Sequence, residues 1–177
     1  MKHRHSLRRA LVAAAVVFAT LPARSNEAGA TLSYDFEAAR AHPIIPEPRQ
    51  LVTKDEVLAL PGSDLVAVVP ADHEFPTVAE ELKALFPDGL RVETAAAAAV
   101  GAHLLVGNPD RNAAVARALK RMGVAARIES ESDEAYLLAT GVIDGRTTIV
   151  IAGNGEAGDF YGVQSLKQVV RRTDSGW

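Results

Sequence analysis

The sequence contains no cysteine. That absence excludes disulfides, thiolate nucleophiles and cysteine metal ligands together. Aromatic residues are scarce at 5%, with a single tryptophan. No apolar run reaches the roughly 20 residues that a membrane-spanning helix needs. There is no HExxH, and His42, His73 and His103 show no metal-ligand spacing; a residue such as His103, just before an apolar strand, reads as a strand-edge residue. No GxSxG elbow occurs, and the run Glu129 to Glu134 lacks the glycine and carbonyl pattern of a calcium loop, so it reads as a solvated turn. The expectation is no metal and no cofactor. The net charge of −3 gives no electrostatic footprint for nucleic acid.

What is present begins with a targeting pattern. Lys2, Arg4, Arg8 and Arg9 precede a short apolar stretch, Ala10 to Leu21, with small-residue cleavage points after Ala23 or Ala30. Residues 1–30 are therefore expected to be a signal peptide, and the protein secreted or periplasmic with no stable membrane insertion. Arg8-Arg9 is also compatible with twin-arginine export. Five basic residues and one acid lie in that segment, so its loss takes the net charge from −3 to −7. The 147 residues after Ala30 suffice for one core and are too few for two domains.

Thr31 to His42 reads as a flexible lead-in. Pro43, Pro46 and Pro48 hold Ile44 to Gln50 extended, as suits an edge strand. Glu56 to Leu60 and Leu65 to Val69 read as strands around Pro61-Gly62-Ser63. Pro76 opens a helix to about Phe86, and Leu90 to Thr94 is a further strand. Ala95 to Ala99 is low-complexity, either a continuation of that strand or a helical loop. His103 to Val106 is a short buried strand, Ala113 to Met122 a helix with Val115, Leu119 and Met122 inward, and Ala135 to Thr140 a strand. The fold class is α/β (α+β): one domain, a mixed sheet of about seven short strands, two to three packed helices.

The chain is organised around Asp144 to Arg172. Asp144-Gly145 is a strong turn dipeptide, and Thr147 to Ala152 is β-branched and apolar on both faces, as a doubly buried strand should be. Gly153-Asn154-Gly155 stops it. Asn154 is expected to cap a helix with Glu156 and Asp159 in its first turn and Arg171 and Arg172 in its last. Val163, Leu166 and Val170 form its aliphatic face.

Gly153, Gly155 and Gly158 spell GxGxxG in a strand–helix context. A dinucleotide site also needs a second parallel strand ending in an acid about 20 residues on, and Asp174 follows no strand. Glu156 and Asp159 would repel phosphate, so the loop reads as a tight strand-to-helix turn.

Glu134-Ala135-Tyr136-Leu137, Ile149 to Gly153, and the helical run Gly158 to Gln168 (GDFYGVQSLKQ) resemble the end of the small N-terminal domain that precedes the catalytic barrel in secreted β-N-acetylglucosaminidases. The hyaluronidase/O-GlcNAcase type is nearest and the β-hexosaminidase family second. Ile44 to Val52 (IIPEPRQLV) resembles that domain's opening strand. The resemblance spans Pro43 to about Arg171. It implies a non-catalytic domain over residues 43–172, with residues 173–177 a truncated linker toward an absent barrel. The partner it implies is that barrel in cis, and the parent's substrates are N-acetylglucosamine-containing glycans. Those families use two adjacent carboxylates assisting the substrate's 2-acetamido group. Asp55-Glu56, Glu80-Glu81 and Asp133-Glu134 do not match the barrel motif; Glu134 matches a structural position. No catalytic residue carries over, and the domain alone is expected to be inactive.

On the helix, Tyr161, Gln164 and Gln168 lie together, flanked by Ala157 and Phe160 and turned away from the Val163, Leu166, Val170 stripe. Neutral amides and an aromatic ring on an outer face read as a docking face for the barrel; otherwise Phe160 and Tyr161 complete the domain's own core. A free-standing exported binding module of the same fold is the alternative reading, and an oxidoreductase the last.

Overall fold

The computed structural model describes residues 17–19, 44, 48–52, 57–74, 76–94, 102–125, 127–174 and 176–177. Among these lie six strands and three helices: β1 (Val17–Ala19), β2 (Leu65–Val68), α1 (Thr77–Leu85), β3 (Leu90–Glu93), β4 (Leu104–Val106), α2 (Ala113–Arg121), β5 (Tyr136–Ile143), β6 (Arg146–Gly153) and α3 (Glu156–Val169). They form one mixed sheet in the order β1-β5-β6-β4-β2-β3. β6, β4, β2 and β3 run parallel, while β5 is antiparallel to both of its neighbours, β1 and β6.

Alternation along the strands divides the core in two. Leu65, Ala67, Leu104, Val106, Tyr136, Leu138, Ile149 and Ile151 face α1 and α3, meeting Val78, Leu82, Val163 and Leu166. Leu105, Leu137, Ala139, Val150 and Ala152 face α2, meeting Val115, Ala118 and Leu119. Each fully buried aliphatic side chain contributes about 1.5–3 kcal/mol. A mixed α/β domain is thus what the chain forms.

β5 and β6 make a hairpin longer than the sequence pattern suggests. Its register runs without a break from Tyr136↔Gly153 to Ile143↔Arg146. The turn is Asp144-Gly145, with φ of 52° and 76°; two successive left-handed residues match the twist of the strands they join.

Several expectations are corrected. Ile44 and Pro48 are buried, but Ile44 and Pro48 to Gln50 lie in no strand. Nor is there a strand over Val57 to Leu60. Leu60 instead exchanges two backbone hydrogen bonds with Trp177, and Pro61 bridges Gly176; Pro61 has no N–H to carry the ladder further. Gly176 and Trp177 thus lie against the domain, and Trp177 packs edge-on to Phe86 at 5.2 Å between ring centroids. Residues 17–19 pair with Tyr136 to Leu138 as an edge strand. Met122, just past the end of α2, packs partly buried against the core as expected. Residues 31–43 and 95–101 lie outside the described residues.

α3 also differs at both ends. Gly155, not Asn154, is its N-cap and provides no side-chain bond. The Asn154 amide is already committed, donating to the carbonyls of Ser130 (2.6 Å) and Ser132 (3.1 Å). The helix stops at Val169, and Val170 turns extended. Arg171 therefore lies past the last turn, where its guanidinium donates to the Gln168 and Val170 carbonyls.

Candidate functional site

The order of the parallel strands places one crevice. After β2 the chain passes through α1 to β3 on one side; it then returns to β4 on the other side of β2 and continues to β6. The segments leaving β2 and β4 therefore diverge to opposite faces of the sheet, opening a gap at their carboxyl ends. A cavity of about 560 Å3 occupies that position, lined by the segments after β2, β4 and β6.

Three local structures shape it. Gly107, at φ +127°, brings the chain after β4 against Pro70, where a Cβ would lie 2.9 Å from the ring. Asn108 accepts from the Asp110 N–H (2.8 Å) and donates to the Asn154 carbonyl (3.1 Å), tying the loops after β4 and β6 together. Asn112 caps α2, accepting from Ala114 N–H at 3.0 Å and Val115 N–H at 3.4 Å.

The fourth structure is a buried ion pair. Asp159, in the first turn of α3, is 2% exposed. One of its oxygens accepts from the Gly153 N–H at 2.9 Å and the other meets His73 Nε2 at 3.0 Å. Burial pushes the Asp159 carboxyl above the usual carboxylate range, outweighing the imidazole's opposite pull. The hydrogen bond to Asp159 in turn raises the His73 imidazole above the ordinary histidine value. Each shift favours the protonated form of its own group. Glu156 adds a second tie, accepting from the Glu74 N–H at 2.9 Å.

The GxGxxG loop is thus filled from within. Gly153 N–H, which a phosphate would need, is bound to the helix's own carboxylate. The glycines serve close packing: a Cβ on Gly158 would sit 2.4 Å from the Ala135 carbonyl oxygen, and one on Gly162 would sit 2.3 Å from an Ile151 methyl.

The other sequence candidates are dispersed. Tyr161 is 38% exposed, with Gln164 and Gln168 half-buried beside it. Phe160 is partly buried against the core and meets Tyr161 edge-on at 5.7 Å. Glu81 pairs with Lys167 at 2.6 Å, linking α1 to α3. Asp133 and Glu134 lie in the turn before β5. His103 precedes β4; its Nδ1 accepts from the Val66 N–H at 3.3 Å, and burial lowers its proton affinity. His42, Asp55 and Glu56 lie outside the described residues. Sequence reasoning missed the His73–Asp159 pair, whose members stand 86 positions apart in no shared motif.

Residues 41–176 match the family described as Glycosyl hydrolase family 20, domain 2. The chain belongs to this family. Of the two families that the FYGVQSLKQ run resembles, the match falls on the hexosaminidase type, whose N-terminal domain is non-catalytic. No curated protein and no solved structure matches the chain. Within this family 20 domain, the helix that carries the run is α3, wedged between α1 and the β5–β6 hairpin.

Proposed function

We propose that this chain is the non-catalytic domain of an exported β-N-acetylhexosaminidase, and that it supports a catalytic barrel in cis through the outer face of α3. The observation that carries this reading is the match over residues 41–176 to the second domain of a glycoside hydrolase family. The composition of the α3 surface adds to it. Tyr161, Gln164 and Gln168 lie within one arc of the helix opposite Val163 and Leu166, which are fully buried. An aromatic ring supplies contact area, and amides bond a partner's backbone without desolvating a charge. Export rests on the basic and apolar pattern of residues 1–30. Among the described residues no helix is long and apolar enough to cross a membrane. The glycans of the parent enzyme would be those bearing N-acetylglucosamine.

Two measurements test the reading. The chain alone should release no chromophore from a chromogenic N-acetylglucosaminide. Joined to a family 20 barrel, it should raise that barrel's melting temperature, and Tyr161→Lys should remove most of the gain. Hydrolysis by the chain alone, or a gain indifferent to Tyr161→Lys, would overturn it.

A further inference from the structure

The crevice at the carboxyl ends of β2 and β4 has a division of charge that the supporting role does not use. Arg111, just before α2, and Arg117, midway along it, line one side. Among the described residues neither guanidinium belongs to an ion pair, whereas Arg91, Arg121, Lys167 and Arg172 each do. From the opposite face of the sheet come Asp72, in the loop after β2, and Glu156, at the start of α3. The α2 N-terminus adds its dipole to the cationic side. Among the described lining residues there is no Phe, Tyr or Trp. Its recognition groups are charges of both signs, held on separate elements.

We propose that this cavity binds a small zwitterion of the peptide class. Its free carboxylate would be received by Arg111 and Arg117, and its free ammonium by Asp72 and Glu156. Guanidinium is suited to the first task because its planar donors match a carboxylate in pairs. A single amino acid would leave much of a 560 Å3 cavity to water; a dipeptide fills more of it. The two signs also oppose the wrong ligands, since a simple anion meets Asp72 and Glu156 and a simple cation meets the two arginines. The inference does not depend on the barrel.

Calorimetric titration of the full chain tests it with three probes: alanyl-alanine, its N-acetyl derivative (carboxylate only) and its amide (ammonium only). Alanyl-alanine should bind with a Kd of about 1 mM or tighter, and each capped form at least about tenfold more weakly. Arg117→Gln, an exposed helical position whose melting temperature should stay unchanged, should weaken alanyl-alanine by a similar factor. It should not weaken the amide further, because the lost partner is the carboxylate. Absence of binding at about 10 mM, capped forms binding as well as the parent, or indifference to Arg117→Gln would each overturn the proposal.

Discussion

α2 and α3 both follow a parallel strand and both begin at the same crevice, yet they are fixed there by different means. α2 carries its own instructions. Asn112 caps it, Lys120 and Arg121 complement its last turn, and Ala114, Val115, Ala118 and Leu119 form its buried face, all within about ten residues. α3 has no side-chain cap. It is held by an inward-turned Asp159, by His73 from a distant loop, and by two glycines that let its backbone lie against Ala135 and Ile151. The first helix is specified locally and the second by the fold around it, so damage to each should differ in size and in kind.

The largest effect should come from closing the contact that α3 requires. In Gly158→Ala the new methyl meets a backbone oxygen that cannot turn aside, and urea unfolding should show a loss of about 3 kcal/mol. Next is Asp159→Ala, which leaves the Gly153 N–H and the His73 imidazole without their partner and should cost about 2 kcal/mol. On the α2 side, Asn112→Ala removes a cap that accepts from two N–H groups, for about 1 kcal/mol. If Asn112→Ala proved costlier than Gly158→Ala, the contrast between the helices would fail.

The smallest effect is a pH dependence confined to α3. His73 and Asp159 both have folded-state proton affinities raised above their free values. A group raised on folding contributes stability that is fully present below its unfolded pKa and is lost as pH climbs through the folded value. For His73 that loss begins at about 6.5 and continues upward. The melting temperature should therefore fall over this range in the native chain and stay flatter in His73→Gln. Asn112→Ala should keep the native slope.

The same contrast explains what the sequence made legible. α2 and its inward face are readable because Val115 and Leu119 recur at helical spacing, and both are buried. The β5–β6 hairpin was readable because Asp144-Gly145 favours the left-handed pair that its turn needs. The Asn154 cap was misread because the residue is chemically a good cap, and nothing local reveals that Ser130 and Ser132 have already taken its amide. Val57 to Leu60 has the pattern of a strand but lies in none, and Leu60 and Pro61 meet instead the tail at Gly176 and Trp177, too short to announce itself. The GxGxxG spacing was visible but its purpose was not, since only the fold shows Asp159 occupying the loop. The charged crevice required strand order, which no single segment encodes.

Trp177 has one further consequence. The sequence holds a single tryptophan, and it sits at the end of the tail, against Phe86 and beneath the Arg172 guanidinium at 5.3 Å. Intrinsic emission excited at the indole band therefore reports only on the seam where the tail meets α1, while circular dichroism reports on the whole sheet. A denaturation curve followed by both signals would reveal whether that seam opens with the rest of the molecule or ahead of it. The protein carries its own fluorophore at the junction most worth watching.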